Sequence, residues 1–359
     1  MALATPTPDN LRSIQILRAI AATSVVYYHL GAVPQHGSLV VFGSFGVDIF
    51  FVISGFVMAM VCGHGETPRA FAAKRVARIV PLYWVLTTGV LLLAAVRPDL
   101  LNSTTAHLGN YVKSLLFIPY FKENGALHPM LALGWTLNYE MFFYLCVGLV
   151  LLAGRRNLAL FIGSVAALVT AAYIVLGHLA GGPVLSSFFG SALLFEFLFG
   201  MVAYLLWRQG RLSGASAPWL IAAALAAYAF MAACESRGAT IDRVFVFGLP
   251  SFVLVLAFVG CERWIPGPGD RVCDALCRIG DASYATYLSH FYVVEGIRKI
   301  AHQKLGLIDP YRPLGVVVIL VSALVVGHMV YLWLDRPLSR WARRVLLPAR
   351  KPPQALPAD

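Results

Sequence analysis

The chain has 359 residues, 59% of them apolar and 13% charged, with a formal net charge of +11 and a mean hydropathy of +0.75. A soluble domain carries about 25% charged residues, so this composition excludes an ordinary soluble enzyme. The basic surplus reads as membrane topology rather than as a nucleic-acid surface, because no soluble basic face accompanies it.

Apolar runs of about 20 residues predict an all-α polytopic integral membrane protein, with ten transmembrane helices in one bundle. They lie near 12–30, 42–62, 76–96, 132–153, 158–178, 187–207, 217–234, 243–261, 281–300 and 313–334. Residues 1–345 form one transmembrane domain without internal repeat, and 346–359 a short cytoplasmic tail whose last stretch, KPPQALPAD, reads as disordered. The N-terminus and segments 63–78, 154–157, 208–216, 262–280 and 335–359 hold 18 Lys and Arg, the opposite segments nine. That bias predicts both termini in the cytoplasm. The first span contains Arg18 and lacks a clear basic n-region, so it reads as a retained helix rather than a signal peptide. None of the six cysteines is placed for a disulfide in an oxidising compartment. Cys273 and Cys277 stand one turn apart but lack a second ligand pair, so no metal site is expected.

The first span, RSIQILRAIAATSVVYYHL, carries Arg18 and His29 eleven positions apart. Eleven helical residues rise about 16.5 Å and bring the two side chains within roughly 20° of one another around the axis. Ionisable groups in a bilayer are costly and survive with a partner or a role. The second span, FGSFGVDIFFVISGF, places Asp48 below its outer boundary, where a short loop brings it near His29. A carboxylate beside an imidazole fixes its tautomer and raises its basicity, as a general base requires.

The third span opens AAKRVARIVPLYW. Lys74, Arg75 and Arg78 lie at its cytoplasmic start. Such a cluster serves topology, or docks an anionic cytoplasmic donor, since guanidinium groups match phosphate geometry. The fourth, LGWTLNYEMFFYL, buries Glu140 among Trp135, Asn138, Tyr139 and Tyr144, a functional-site candidate by default. Glu196 in LLFEFLFG is a second deep carboxylate, open between helix–helix hydrogen bonding and function. The ninth span, GDASYATYLSHFYVVEG, is the least apolar. It aligns Tyr284, Tyr287 and His290 at i, i+3 and i+6, as on a helix facing a wet cavity. His290 is either an interhelix hydrogen-bonding residue or a catalytic one.

These stretches resemble the membrane acyltransferase-3 family. The resemblance rests on Arg18 and His29 with ten residues between them, then on GVDIFFVISGF, RVARIVPLYW, GWTLNYEMFFY and SYATYLSHF, in that order from residue 11 to about 345. IQILRAIAA with GWTLNYEMFFY is most similar to the ExoZ-like exopolysaccharide acetyltransferase branch. One departure is Asp335, where relatives often have Glu before Arg-Pro. The resemblance implies transfer of an acyl group, acetyl by the branch, from cytoplasmic acyl-CoA to a hydroxyl of an exopolysaccharide or other surface glycan precursor. The enzyme would sit in the bacterial plasma (inner) membrane. It would use acyl-CoA as co-substrate and bind no cofactor. Its partners would be a glycan or lipid-linked glycan and polysaccharide assembly proteins, and no nucleic acid. Under this reading His29 is the general base or acyl acceptor, Asp48 orients it, and Arg18 holds the donor or the oxyanion. Arg75, Arg78 and Lys74 bind the donor, while Glu140, Tyr139, Tyr287, His290 and Glu196 position the acceptor or support the site. The alternatives are a proton-coupled transporter or flippase of a glycan precursor, against which the missing repeat speaks, and a scaffold for glycan export.

Overall fold

The computed structural model describes residues 11–31, 42–101, 104–154, 157–238, 240–307, 309–310 and 312–347. The expected tail beyond 347, the first ten residues and the topogenic Arg155 and Arg156 lie outside the described residues.

Among the described residues the chain forms helices and no strand. They are α1 (Arg12–Gly31), α2 (Gly46–Gly63), α3 (Pro68–Val96), α4 (Leu108–Leu115), α5 (Trp135–Leu152), α6 (Leu158–Ala172) and α7 (Pro183–Phe189). There follow α8 (Glu196–Arg208), α9 (Ala217–Ser236), α10 (Leu249–Gly260), α11 (Arg271–Asp281), α12 (Ser283–Gly296), α13 (Pro313–Val330) and α14 (Arg336–Leu346). Wider π-type turns at Tyr173–Leu179, Val244–Gly248, Ile297–Lys304 and Tyr331–Asp335 extend α6, lead into α10, extend α12 and join α13 to α14.

Each of the ten expected spans falls on helix. By length and apolarity, however, six helices among the described residues suffice to cross a membrane: Gly46–Gly63, Pro68–Val96, Ala132–Leu152, Leu158–Leu179, Ala217–Ser236 and Pro313–Leu346. A seventh follows if Pro183–Phe189 and Ala192–Arg208, bent by 41°, count as one span. The remaining three expected spans are shorter, as in Val244–Gly260, or diluted by polar residues, as in α1 and α12. Those two helices carry much of the candidate site.

Side-chain caps set several helix starts. Thr67 accepts from Ala70 N ahead of Pro68, Asn157 from Ala159 and Leu160 N, and Asp270 from Cys273 N, satisfying amide groups that a helix start leaves bare. The start of α1 is met from afar: Arg12 N and Ser13 N donate to the two Glu262 carboxylate oxygens at 3.0 and 2.8 Å. Arg12 Nη2 also reaches Asp274 Oδ1 at 2.8 Å. These bonds tie α1 to α11 and to the turn before it.

The tightest packing joins α2 to α8. A Cβ built on Gly55 would sit 1.8 Å from Phe197 O, and one on Gly200 1.9 Å from Val52 O. Backbones in such contact need hydrogen at both positions, the small-residue device of helices in lipid. α1 and α2 run antiparallel, with Gly43 against Ser24 and Gly46 against Ala21. α1 and the α11–α12 stretch run parallel, Gly280 against the Gln15 carbonyl and His290 beside His29.

Candidate active site

A cavity of about 140 Å³ lies between α1, α2, α3, α5 and α12. Its walls hold Arg18, Arg75, Arg78, Glu140, Tyr144 and Tyr287, interleaved with apolar side chains of α2. Along α2 it runs from Val47 to Met58, about 16 Å at helical rise. Because α2 descends against α1, the Met58 end points to the side on which α1 begins. Arg75 and Tyr144 stand there, while Arg18, Thr136 and Tyr287 wall the other end.

Three of these wall residues are arginines, and their surroundings differ. Arg78 Nη1 pairs with Asp335 Oδ2 at 2.9 Å, and its guanidinium lies 5.4 Å from the Tyr284 ring centre. Arg75 lies 6.0 Å from the Tyr144 ring centre, and its buried Nε has no hydrogen-bond partner among the described residues. A buried donor without an acceptor costs about 1–3 kcal/mol, so this group is set to receive one. Glu140 Oε1 accepts from Ser54 Oγ at 3.1 Å and from the Tyr144 hydroxyl. Tyr287 closes the end wall: its hydroxyl lies 3.2 Å from Leu133 O and 3.1 Å from Thr136 Oγ1.

One helical turn beyond Tyr287 sit the two histidines. His290 is fully buried, and its Nε2 lies 3.2 Å from His29 Nδ1. Phe291 and Tyr28 pack edge-on against the His29 ring. The structure therefore joins Arg18, Arg75, Arg78, Glu140 and Tyr287 in one cavity and His29 with His290 just past its end.

Other expected site residues stand elsewhere. Asp48 does not orient His29: it is fully buried and held by Arg243, whose Nε and Nη2 donate to Oδ1 and Oδ2 at 2.9 and 2.6 Å. The cause is the face Asp48 occupies on α2, which the glycine contact turns toward α8 and the turn before α10. Glu196 belongs to this second cluster, fully buried and packed against Gly248. Lys74 does not line the cavity. It is 39% exposed and pairs with Glu66, which draws its ammonium toward the start of α3 and away from the cavity. Tyr139 stacks on Phe188, ring centres 4.2 Å apart, and is likewise absent from the cavity wall.

Sequence reasoning passed over Arg243 and Ser54. The signal for Arg243 in the sequence is a lone arginine opening the apolar run of 243–261. Asp335 was noted only as a departure, yet it anchors Arg78. Outside the spans, Lys122 is buried in the loop before α5, donating to Thr104 Oγ1 at 2.8 Å, and burial pushes its ammonium pKa down to about 8.

The model of a family described as Acyltransferase domain matches residues 11–332. Exopolysaccharide production protein ExoZ of Rhizobium meliloti (strain 1021) is 32% identical over 329 residues, 87% of this chain and 94% of that one. Acyltransferase MdmB of Streptomyces mycarofaciens is 25% identical over 387 aligned residues, 98% of this chain and 96% of that one. Peptidoglycan O-acetyltransferase OatA of Listeria monocytogenes serovar 1/2a is 28% identical over 150 residues, 37% of this chain and 23% of that one. No solved structure matches. A match over nearly the whole chain, on a helical bundle with several membrane-length helices, identifies a multi-pass membrane enzyme: the chain belongs to the acyltransferase-3 family and is an acyltransferase.

Proposed function

We propose that this enzyme moves an acetyl group from cytoplasmic acetyl-CoA to a hydroxyl of an exopolysaccharide or its lipid-linked precursor. It does so in the bacterial inner membrane, with ten crossings and both termini in the cytoplasm. The observation that carries the reading is the alignment of an arginine-lined cavity with a histidine pair beyond its end. Anionic donor groups meet Arg75 and Arg78 at the side where α1 begins, and guanidinium groups suit phosphate oxygens. The pantetheine arm follows the cavity past Arg18 toward Tyr287 and His29.

The chemistry needs one base and one cation. His29 takes the proton of the acceptor hydroxyl as its oxygen attacks the thioester carbonyl. Arg18 stabilises the oxyanion. The C–S bond then breaks, the ester forms, and the proton passes from His29 to the departing thiolate, giving free CoA. Glu140 and Tyr287 hold polar groups of the substrates in line. Asp48, bound to Arg243, braces the bundle rather than the base. The similarity to a protein named for exopolysaccharide production supports the acceptor class, and proteins named as O-acetyltransferases support the ester product.

The test is reconstitution of the purified protein in vesicles with acetyl-CoA and the polymer of the parent cell. Acceptor-dependent release of CoA, with acetyl ester on the glycan by mass spectrometry, is expected from the wild type and is lost in His29→Ala at equal protein level. Unchanged ester formation in His29→Ala would remove His29 as the base. Transport of a glycan precursor without thioester cleavage would replace the reading by a flippase.

A further inference from the structure

The contacts of His290 leave little choice about its protons. Its Nδ1 lies 3.1 Å from Thr286 O and 2.8 Å from Tyr287 O. Carbonyl oxygens only accept, so Nδ1 carries a hydrogen. In a neutral imidazole the other nitrogen then holds the lone pair, and His290 Nε2 is an acceptor. What faces it at 3.2 Å is His29 Nδ1, which also lies 2.9 Å from Val25 O. Both neighbours of His29 Nδ1 are acceptors, so this nitrogen carries the hydrogen in turn. The lone pair of His29 is thereby placed on Nε2.

From this chain of bonds we infer that His290 is a positioning residue for the acyl transfer. Together with the Val25 carbonyl it holds His29 in the Nδ1–H tautomer, aims Nε2 at the acceptor hydroxyl, and takes part of the charge when His29 becomes an imidazolium. The inference rests on the reading of His29 as the base. It replaces the carboxylate expected in this role with a neutral imidazole, since among the described residues neither ring hydrogen-bonds a carboxylate. The arrangement suits a low-dielectric site. A buried carboxylate beside His29 would carry a desolvation cost of its own, whereas a neutral acceptor orients the ring without one. During the step His29 Nε2 gains the hydroxyl proton and later returns it to the thiolate. Throughout, the Nδ1–H of His29 stays bonded to His290, so no proton is gained or lost by the pair over a turnover.

Two amide variants separate the roles. Gln places its terminal amide near the position of His290 Nε2, so its oxygen can accept from His29. Asn mimics the Nδ1 position, keeps the bond to the backbone carbonyls, and falls short of His29. Expected for His290→Asn is a fall in kcat of about 10²–10⁴-fold, with KM for acetyl-CoA and for the glycan within about threefold. His290→Gln restores at least a tenth of wild-type kcat. ¹⁵N spectra of histidine-labelled protein, assigned by comparison with His29→Ala, should show His29 protonated at Nδ1 in the wild type and a smaller share of that tautomer in His290→Asn, where only the Val25 carbonyl still accepts from Nδ1. Wild-type kcat in His290→Asn would overturn the proposal. So would a wild-type His29 protonated at Nε2. An inactive His29→Ala beside a fully active His290→Asn sinks this inference while the base assignment stands. Activity in His29→Ala sinks both.

Discussion

Replacing Arg243 should damage this protein more than replacing the residue it holds. Asp48 is fully buried, whereas the Arg243 side chain is 35% exposed. Arg243→Gln strands a carboxylate that has lost a two-point ion pair, and breaking a buried pair this way costs about 3–5 kcal/mol. Asp48→Asn strands a cation that can turn partly to solvent and keeps its bond to Ser44 O, at 3.2 Å, so about 1–3 kcal/mol is expected. The double variant Asp48→Asn, Arg243→Gln should lie above the sum of the singles by about 1–3 kcal/mol, because the stranded charges vanish together. Thermal unfolding of the protein in detergent reads the series, and the arginine variant should drop by roughly 5–15 °C. Acyl transfer per folded molecule should change little in Asp48→Asn. An Asp48→Asn protein of normal stability that had lost transfer would refute the bracing role and return Asp48 to the chemistry.

Three further outcomes follow from particular contacts. Arg75→Ala should raise the KM for acetyl-CoA about 10–100-fold, the value of a charge-assisted hydrogen bond of about 1.5–3 kcal/mol, and leave the melting temperature near that of the wild type. Gly200→Ala should destabilise the α2–α8 contact by about 1–3 kcal/mol, since its Cβ would meet Val52 O at 1.9 Å. Ser164→Ala, on an exposed face of α6, serves as the silent control for that melting experiment. Lys122 gives a pH signature. Its folded pKa is pushed down to about 8 from 10.5, so between those values the unfolded chain binds more protons than the folded one. Stability should therefore rise with pH across that window, and Lys122→Met should flatten the rise.

Much of the fold was legible in the residues because the bilayer imposes it. Apolar runs near 20 residues must be helical in lipid, and every expected span falls on helix. The family motifs name His29, Arg18, Arg75, Arg78 and Glu140 because polar groups in such runs stand out against their neighbours. Reading which of them meet was harder. The sequence placed Asp48 beside His29 by loop length and depth alone, but neighbours in depth need not share a face. Rotation about the helix axis decides that, and it is set by packing: Gly55 and Gly200 let α2 close on α8, which carries Asp48 to Arg243. The histidine pair is likewise tertiary, joining residues 261 positions apart on parallel helices. What the sequence by itself determined is the membrane class, the family and the inventory of chemical groups, because these depend on composition and local pattern. Only the tertiary structure decided the partners, because burying a charge or an imidazole is tolerable only where a distant helix supplies the matching group.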